Sequence, residues 1–166
     1  MEAGEASGKR VDVLAAKLYA AANPVIRIIE GLIVALENEF LFHIYLRDHN
    51  DGSSEVREFL AKDPKFIRRI DIIEAQVRET WEAFVSGIEH SFESYTRVAA
   101  AVLREAESSL VKYNEEQKKE IARAKTVVEK GPQWEKELTE AMNKSFGSAI
   151  ARLNVFRAKV IAKNLT

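Results

Sequence analysis

DPKFIRRIDIIEAQVRETWEAFVSGIEHSFESYTRVAAAVLREAESSLVKYNEEQKKEIARAKTVVEK, residues 63–130, has no proline after Pro64 and one glycine, Gly87. One stripe of its apolar residues is Phe66, Ile70, Ile73, Val77, Trp81, Phe84, Ile88, Phe92, Tyr95, Ala99, Val102, Ala106, Leu110 and Tyr113. Their steps are all three or four and average about 3.6 residues, the α-helical period. Within the run, Phe66, Val77, Ile88, Ala99 and Leu110 recur every 11 residues. That spacing keeps an apolar seam almost straight along a helix, with slight right-handed drift. A lone mid-helix glycine costs only about 1 kcal/mol. Asp63-Pro64 is a cap-plus-proline start, and Gly131-Pro132 is a stop and restart. The stretch therefore reads as one helix from about Asp63 to Lys130, about 100 Å long if unbroken. A compact chain of this size is only roughly 30–40 Å across. Either the helix bends near Gly87 or Asn114, or the molecule is elongated and its seam needs partner chains to cover it.

Outward from this segment the chain reads as helix throughout. Residues 1–8 form a flexible tail, with no apolar run that would suggest a signal peptide. Helices are expected over about 9–22, 24–47, 54–61, 64–130 and 133–163. Asn23-Pro24 separates the first two by the same cap-and-proline logic. The 24–47 helix is apolar over most of its circumference, which suits a bundle centre or a subunit interface. Its charges Arg27, Glu30, Glu37 and Glu39 argue against a membrane span. Asp48-His49-Asn50-Asp51-Gly52-Ser53 is a loop dense in turn formers. The fold class is all-α: one elongated helical bundle, a single domain over 9–166, built on one very long helix.

The totals exclude several functions. With 25 Lys plus Arg against 26 Asp plus Glu, the net charge is −1, so a globally basic nucleic-acid binder is not indicated. The absence of cysteine removes disulfides, thiolate metal sites and thiol nucleophiles. None of His43, His49 and His90 has a glutamate three residues before it, as a di-iron bundle requires. Glu39 and His43 share a helix face, a weak signal better read as a polar edge. There is no phosphate loop and no nucleophile elbow. The reading is a non-enzyme with no catalytic residue, cofactor or metal.

Basic clusters are the remaining chemical signal. Residues 144–166 carry Lys144, Arg152, Arg157, Lys159 and Lys163 and no acid. Arg152, Lys159 and Lys163 fall on one helix face beside Leu153, Phe156, Val160 and Ile161. A second cluster, Lys62, Lys65, Arg68 and Arg69, stands at a helix N-terminus, where the dipole disfavours cations. Lys9-Arg10 is a third. Such patches can neutralise backbone phosphates or meet anionic lipid. At a helix C-terminus they are also explained by the dipole alone. Glu79, Glu82, Glu89 and Glu93 make the outer middle of the long helix acidic, so phosphate contact is expected at its ends or along the last helix.

The Asn23-Pro24 break, the Asp63-Pro64 start and these basic clusters together resemble, in architecture, the paired capsid (nucleocapsid) proteins of filamentous archaeal viruses. The resemblance covers most of the chain but no diagnostic motif. It implies a structural subunit that pairs with itself or a related chain, wraps double-stranded DNA through its phosphates, and polymerises into a filament within a virion. The near-neutral charge departs from that pattern, and a more basic paired subunit would supply the difference. The alternative is a soluble helical scaffold or adaptor, cytoplasmic, that binds partner helices or an anionic membrane surface.

Overall fold

The computed structural model describes residues 2–109 and 112–165, with side chains at 20, 22–109 and 112–165. The chain forms α1 (Glu2–Asp48), α2 (Ser54–Ala61), α3 (Phe66–Ser108) and α4 (Glu115–Ala162). Among the described residues there is no strand, and the all-α expectation is borne out. The helix boundaries differ from the sequence reading at five places.

The long helix does not reach Lys130; it ends at Ser108. A new helix starts at Glu115 behind a reciprocal cap. The Asn114 side chain accepts a hydrogen bond from the Gln117 amide at 2.8 Å, and the Gln117 side chain accepts one from the Asn114 amide at 2.9 Å. This satisfies two amides that a helix start otherwise leaves unpaired. Glu115 and Glu116 in the first turn complement the dipole. Replacing Asn114 by alanine is expected to cost about 1 kcal/mol. Urea unfolding would read that loss, and faster amide exchange at 115–118 would localise it.

The same helix starts at Phe66 rather than Pro64. The Asp63 carboxylate accepts from the Lys65 amide at 2.9 Å, and Lys65 sits at φ +50°. This Asx turn delays the helix by two residues.

Conversely, both internal prolines are absorbed. Pro24 lies inside α1 and Pro132 inside α4. The expected helix breaks at Asn23-Pro24 and Gly131-Pro132 are thus absent. A proline removes one backbone hydrogen bond and crowds the preceding turn, at about 3 kcal/mol. Burial on either side outweighs it: Ala22 and Ile26 flank Pro24, and Val127 and Leu138 flank Pro132. The stretch read as a tail, 1–8, falls within α1 from Glu2.

The described residues group into two compact units, Met1–Asn23 with Trp81–Lys144 and Pro24–Thr80 with Ser145–Thr166. In the first unit, Ile88, Phe92 and Ala99 of α3 are buried, as are Ala124, Val127, Leu138 and Met142 of α4. Trp81 Nε1 donates to Asn143 Oδ1 at 2.8 Å, and Gly131 lies against the Thr96 side chain, where an added Cβ would come within 3.4 Å. Partner numbers falling along α4 as they rise along α3 mean that these segments run antiparallel.

The second unit packs parts of α1, α3 and α4 together, with α2 beside them. α1 contributes Ile26, Ile29, Ile33, Leu36, Phe40 and His43, buried at alternating steps of three and four. α3 adds Phe66, Ile70 and Val77, and α4 adds Phe146, Leu153, Phe156 and Val160. Phe40, Phe66 and Phe156, one from each helix, meet edge to face at 5.6, 5.3 and 6.3 Å between ring centres. That geometry sets the positive edge of one ring against the negative face of the next.

The 11-residue repeat marks the burial. Phe66, Val77 and Ile88 are fully buried and Ala99 nearly so; Leu110 lies outside the described residues. The seam is narrower than the full stripe, because Tyr95 and Val102 are exposed. Glu79, Glu82, Glu89 and Glu93 are exposed, as the acidic outer face requires.

Candidate nucleic-acid interface

The basic residues singled out in the sequence divide into two groups by what they touch. Arg69, Arg152 and Arg157 each join a different pair of helices in the second unit. Arg69 of α3 donates two bonds to the Glu39 carboxylate of α1, at 2.7 and 2.8 Å. Arg152 of α4 donates to Glu37 of α1 at 2.7 Å. Arg157 of α4 donates to Glu74 at 2.6 Å and Asp71 at 3.0 Å, both on α3, and to Asn154 at 2.6 Å. The forked Arg69 pair has the planar geometry that makes arginine–carboxylate bonds strong. Its hydrogen bond holds the Glu39 carboxyl below the usual carboxylate range. The bond from Arg157, then that from Arg78, does the same for Glu74. These three arginines act as cross-ties whose charge is largely matched inside the unit.

Lys62, Lys65, Arg68, Lys159 and Lys163 are exposed and make no ion pair with a described residue. The fold brings them to one end of the second unit. Phe66 at the start of α3 touches Phe156 near the end of α4. Arg47 at the end of α1 donates to the Lys163 carbonyl at 2.7 Å, satisfying an acceptor left open past the helix end. Two clusters separated by about 90 residues in sequence therefore share one region. It is not purely cationic, since Asp48, Asp51, Glu55, Glu58 and Asp63 are exposed on the adjoining segments. Lys144 is exposed in the other unit, and the side chains of Lys9 and Arg10 lie outside the described residues.

Sequence spacing missed the carboxylates Glu37, Asp71 and Glu74. Their partners lie 115, 86 and 83 residues away, so no local pattern marks them. Glu39 was paired with His43 by spacing, but its carboxylate faces Arg69.

His43 is only 4% exposed. It packs edge-on against Phe59 and Phe66 at 5.2 and 5.9 Å. Burial pushes its pKa below the usual 6.5, Glu39 opposes that shift, and Arg47 adds to it. The folded state therefore disfavours the imidazolium. As pH falls below 6.5, the unfolded chain takes up the proton first, so stability present above that pH is lost toward the lowered folded value. Urea midpoints measured from pH 7.5 down to 5 should fall in wild type, and His43→Leu should remove part of that slope.

Among the described residues there is no cluster of three or more potential metal-ligating side chains. No described helix is long and apolar enough to cross a membrane. A recess of about 550 Å³ between the end of α3 and the start of α4 is lined by Glu105, Glu116 and Glu120 beside Val102, Tyr113 and Ile121, an acidic wall unsuited to phosphate. No protein-family model, curated protein or solved structure matches this chain.

Proposed function

We propose that this protein is a non-enzymatic structural subunit that assembles with itself or a related chain and packages nucleic acid, as a capsid protein does. The observation that carries the nucleic-acid part is the gathering of Lys62, Lys65, Arg68, Lys159 and Lys163 at one end of the second unit, with no ion-pair partner among the described residues. Charge matched internally, as in Arg69, Arg152 and Arg157, is less available to phosphate. Assembly is supported by the apolar side chains left exposed, among them Ile28, Leu32, Leu41, Phe42 and Tyr45 on α1.

The test is double-stranded DNA binding across a salt series, with electron microscopy of the protein and DNA together. Affinity should fall steeply with salt, by about 0.9 in log–log slope for each phosphate neutralised. Lys159→Gln and Arg68→Gln should each flatten that slope by up to about one unit. Arg152→Gln should weaken folding more than binding. Regular polymers containing DNA support the reading. A protein that ignores DNA at low salt and forms no polymer overturns it. The adaptor reading rests on the same α1 residues, and a defined small oligomer without DNA affinity would favour it.

A further inference from the structure

We infer that the outer face of α1 between Arg27 and Asp48 is a self-association surface that takes the same helix of a second copy, antiparallel. This goes beyond packaging, since it holds whether or not nucleic acid is bound.

The inner face of this helix is occupied by its own bundle. The opposite face carries a second regular pattern: Arg27, Gly31, Val34, Asn38, Leu41, Tyr45 and Asp48, in steps of four and three. Val34, Leu41 and Tyr45 are the apolar members of this strip, spaced as the a and d positions of a helix–helix seam are. The side chains on and beside it are well exposed: Ile28 64%, Leu41 62%, Tyr45 58% and Phe42 53%. Phe42 meets Phe59 of α2 edge-on at 5.6 Å, which widens the patch. Together these exposed side chains form a contiguous apolar patch, more than solitary exposed residues explain.

Two features select a second copy as the occupant. Asn38 lies midway along the strip, between the apolar Val34 and Leu41, where a polar residue fixes register at some cost in stability. Across a two-fold axis, its amide meets an identical amide that both donates and accepts. The seam also ends in opposite charges, Arg27 and Asp48. Parallel copies would set Arg27 against Arg27 and Asp48 against Asp48. Antiparallel copies set each Arg27 end against the partner's Asp48 end, which is electrostatically complementary. Arg47 turns away from the seam to the Lys163 carbonyl, although its Nε lies 3.8 Å from Asp48.

Sedimentation equilibrium of the full chain without nucleic acid tests this. Wild type should sediment at twice 18.8 kDa or at even multiples. Leu41→Glu buries an unpaired charge in the seam and should weaken association by ~100-fold or more, with helical circular dichroism unchanged. Ile161→Glu, exposed on α4, should leave association intact. Orientation is read by oxidative cross-linking, because the chain has no native cysteine. Asn38→Cys should link to itself, Asp48→Cys alone should not, and the Arg27→Cys/Asp48→Cys double variant should. A wild-type monomer at high concentration, association indifferent to Leu41→Glu, or self-linking by Asp48→Cys each overturns the inference. Dimers that ignore DNA sink the packaging reading and leave this one standing. DNA-filled polymers unaffected by Leu41→Glu do the reverse.

Discussion

Phe66→Ala is expected to lower the stability of the second unit by about 3–5 kcal/mol, the range for removing a large buried ring. Phe66 is fully buried and touches rings from both neighbouring helices, Phe40 of α1 and Phe156 of α4. It also packs against His43, and the Arg69 guanidinium lies 5.9 Å from its ring centre. Truncation opens a void among stiff aromatic neighbours that collapse poorly, and it loses two edge-to-face pairs of about 0.5–1.5 kcal/mol each, counted within the same total. A domain is typically stable by only 5–15 kcal/mol, so a loss of about this size is a large fraction. Phe66→Leu keeps most of the volume and should cost less than half as much. Both tryptophans, Trp81 and Trp134, belong to the other unit. Circular dichroism and tryptophan fluorescence thus report the units differently during urea unfolding. Separating transitions would show that the units unfold independently. A loss below about 1 kcal/mol for Phe66→Ala would mean that the three rings are not the packed centre of the bundle.

Pro132→Ala is expected to act in the opposite direction, raising stability by about 1–3 kcal/mol. Pro132 is exposed and lies in the interior of α4, 17 residues beyond its start at Glu115. The ring removes the amide that would donate to the carbonyl four residues earlier and crowds that carbonyl. Alanine restores the bond and has the best helix propensity. Part of the gain is offset because proline also restricts the unfolded chain. Gly131 beside it should be kept, because a side chain larger than alanine would push into Thr96. Thermal unfolding followed by tryptophan fluorescence reads the effect through Trp134, two residues away. An unchanged or lowered midpoint would show that the first unit is built around a proline-bent helix.

Both prolines illustrate how far local signals reach. Asn23-Pro24 and Gly131-Pro132 carry strong break chemistry, yet α1 and α4 run through them. The break that does occur was signalled more quietly. Asn114-Glu115-Glu116-Gln117 has the spacing of a capping box with acids in the first turn. The apolar stripe hid it by continuing through Leu110 and Tyr113. A capping box recruits its partners within three residues, so it can be read from sequence. A proline's tolerance depends on how much burial lies on either side, which only the packed structure reveals.

The candidate interface divides in the same way. Net basic character over 144–166, and the cluster at 62–69, are properties of composition. Which of those cations remain available is a property of the fold, because an arginine's carboxylate can sit 30 residues away, as for Arg69, or 115, as for Arg152. His43 shows the same limit: its helix was legible, but its burial under Phe59 and Phe66 depends on segments that follow a loop.

By itself, the sequence of this protein determined the all-α class and the central line of the buried seam, since periodic burial is set by neighbours three and four residues apart. Phe66, Val77, Ile88 and Ala99, spaced by 11, lie buried. Tertiary structure alone decided that α1 and α4 run through their prolines, which arginines became cross-ties, and which α1 face stayed open. Those outcomes depend on energies between residues distant in the chain, and packing of that kind exceeds the few kcal/mol of any local signal.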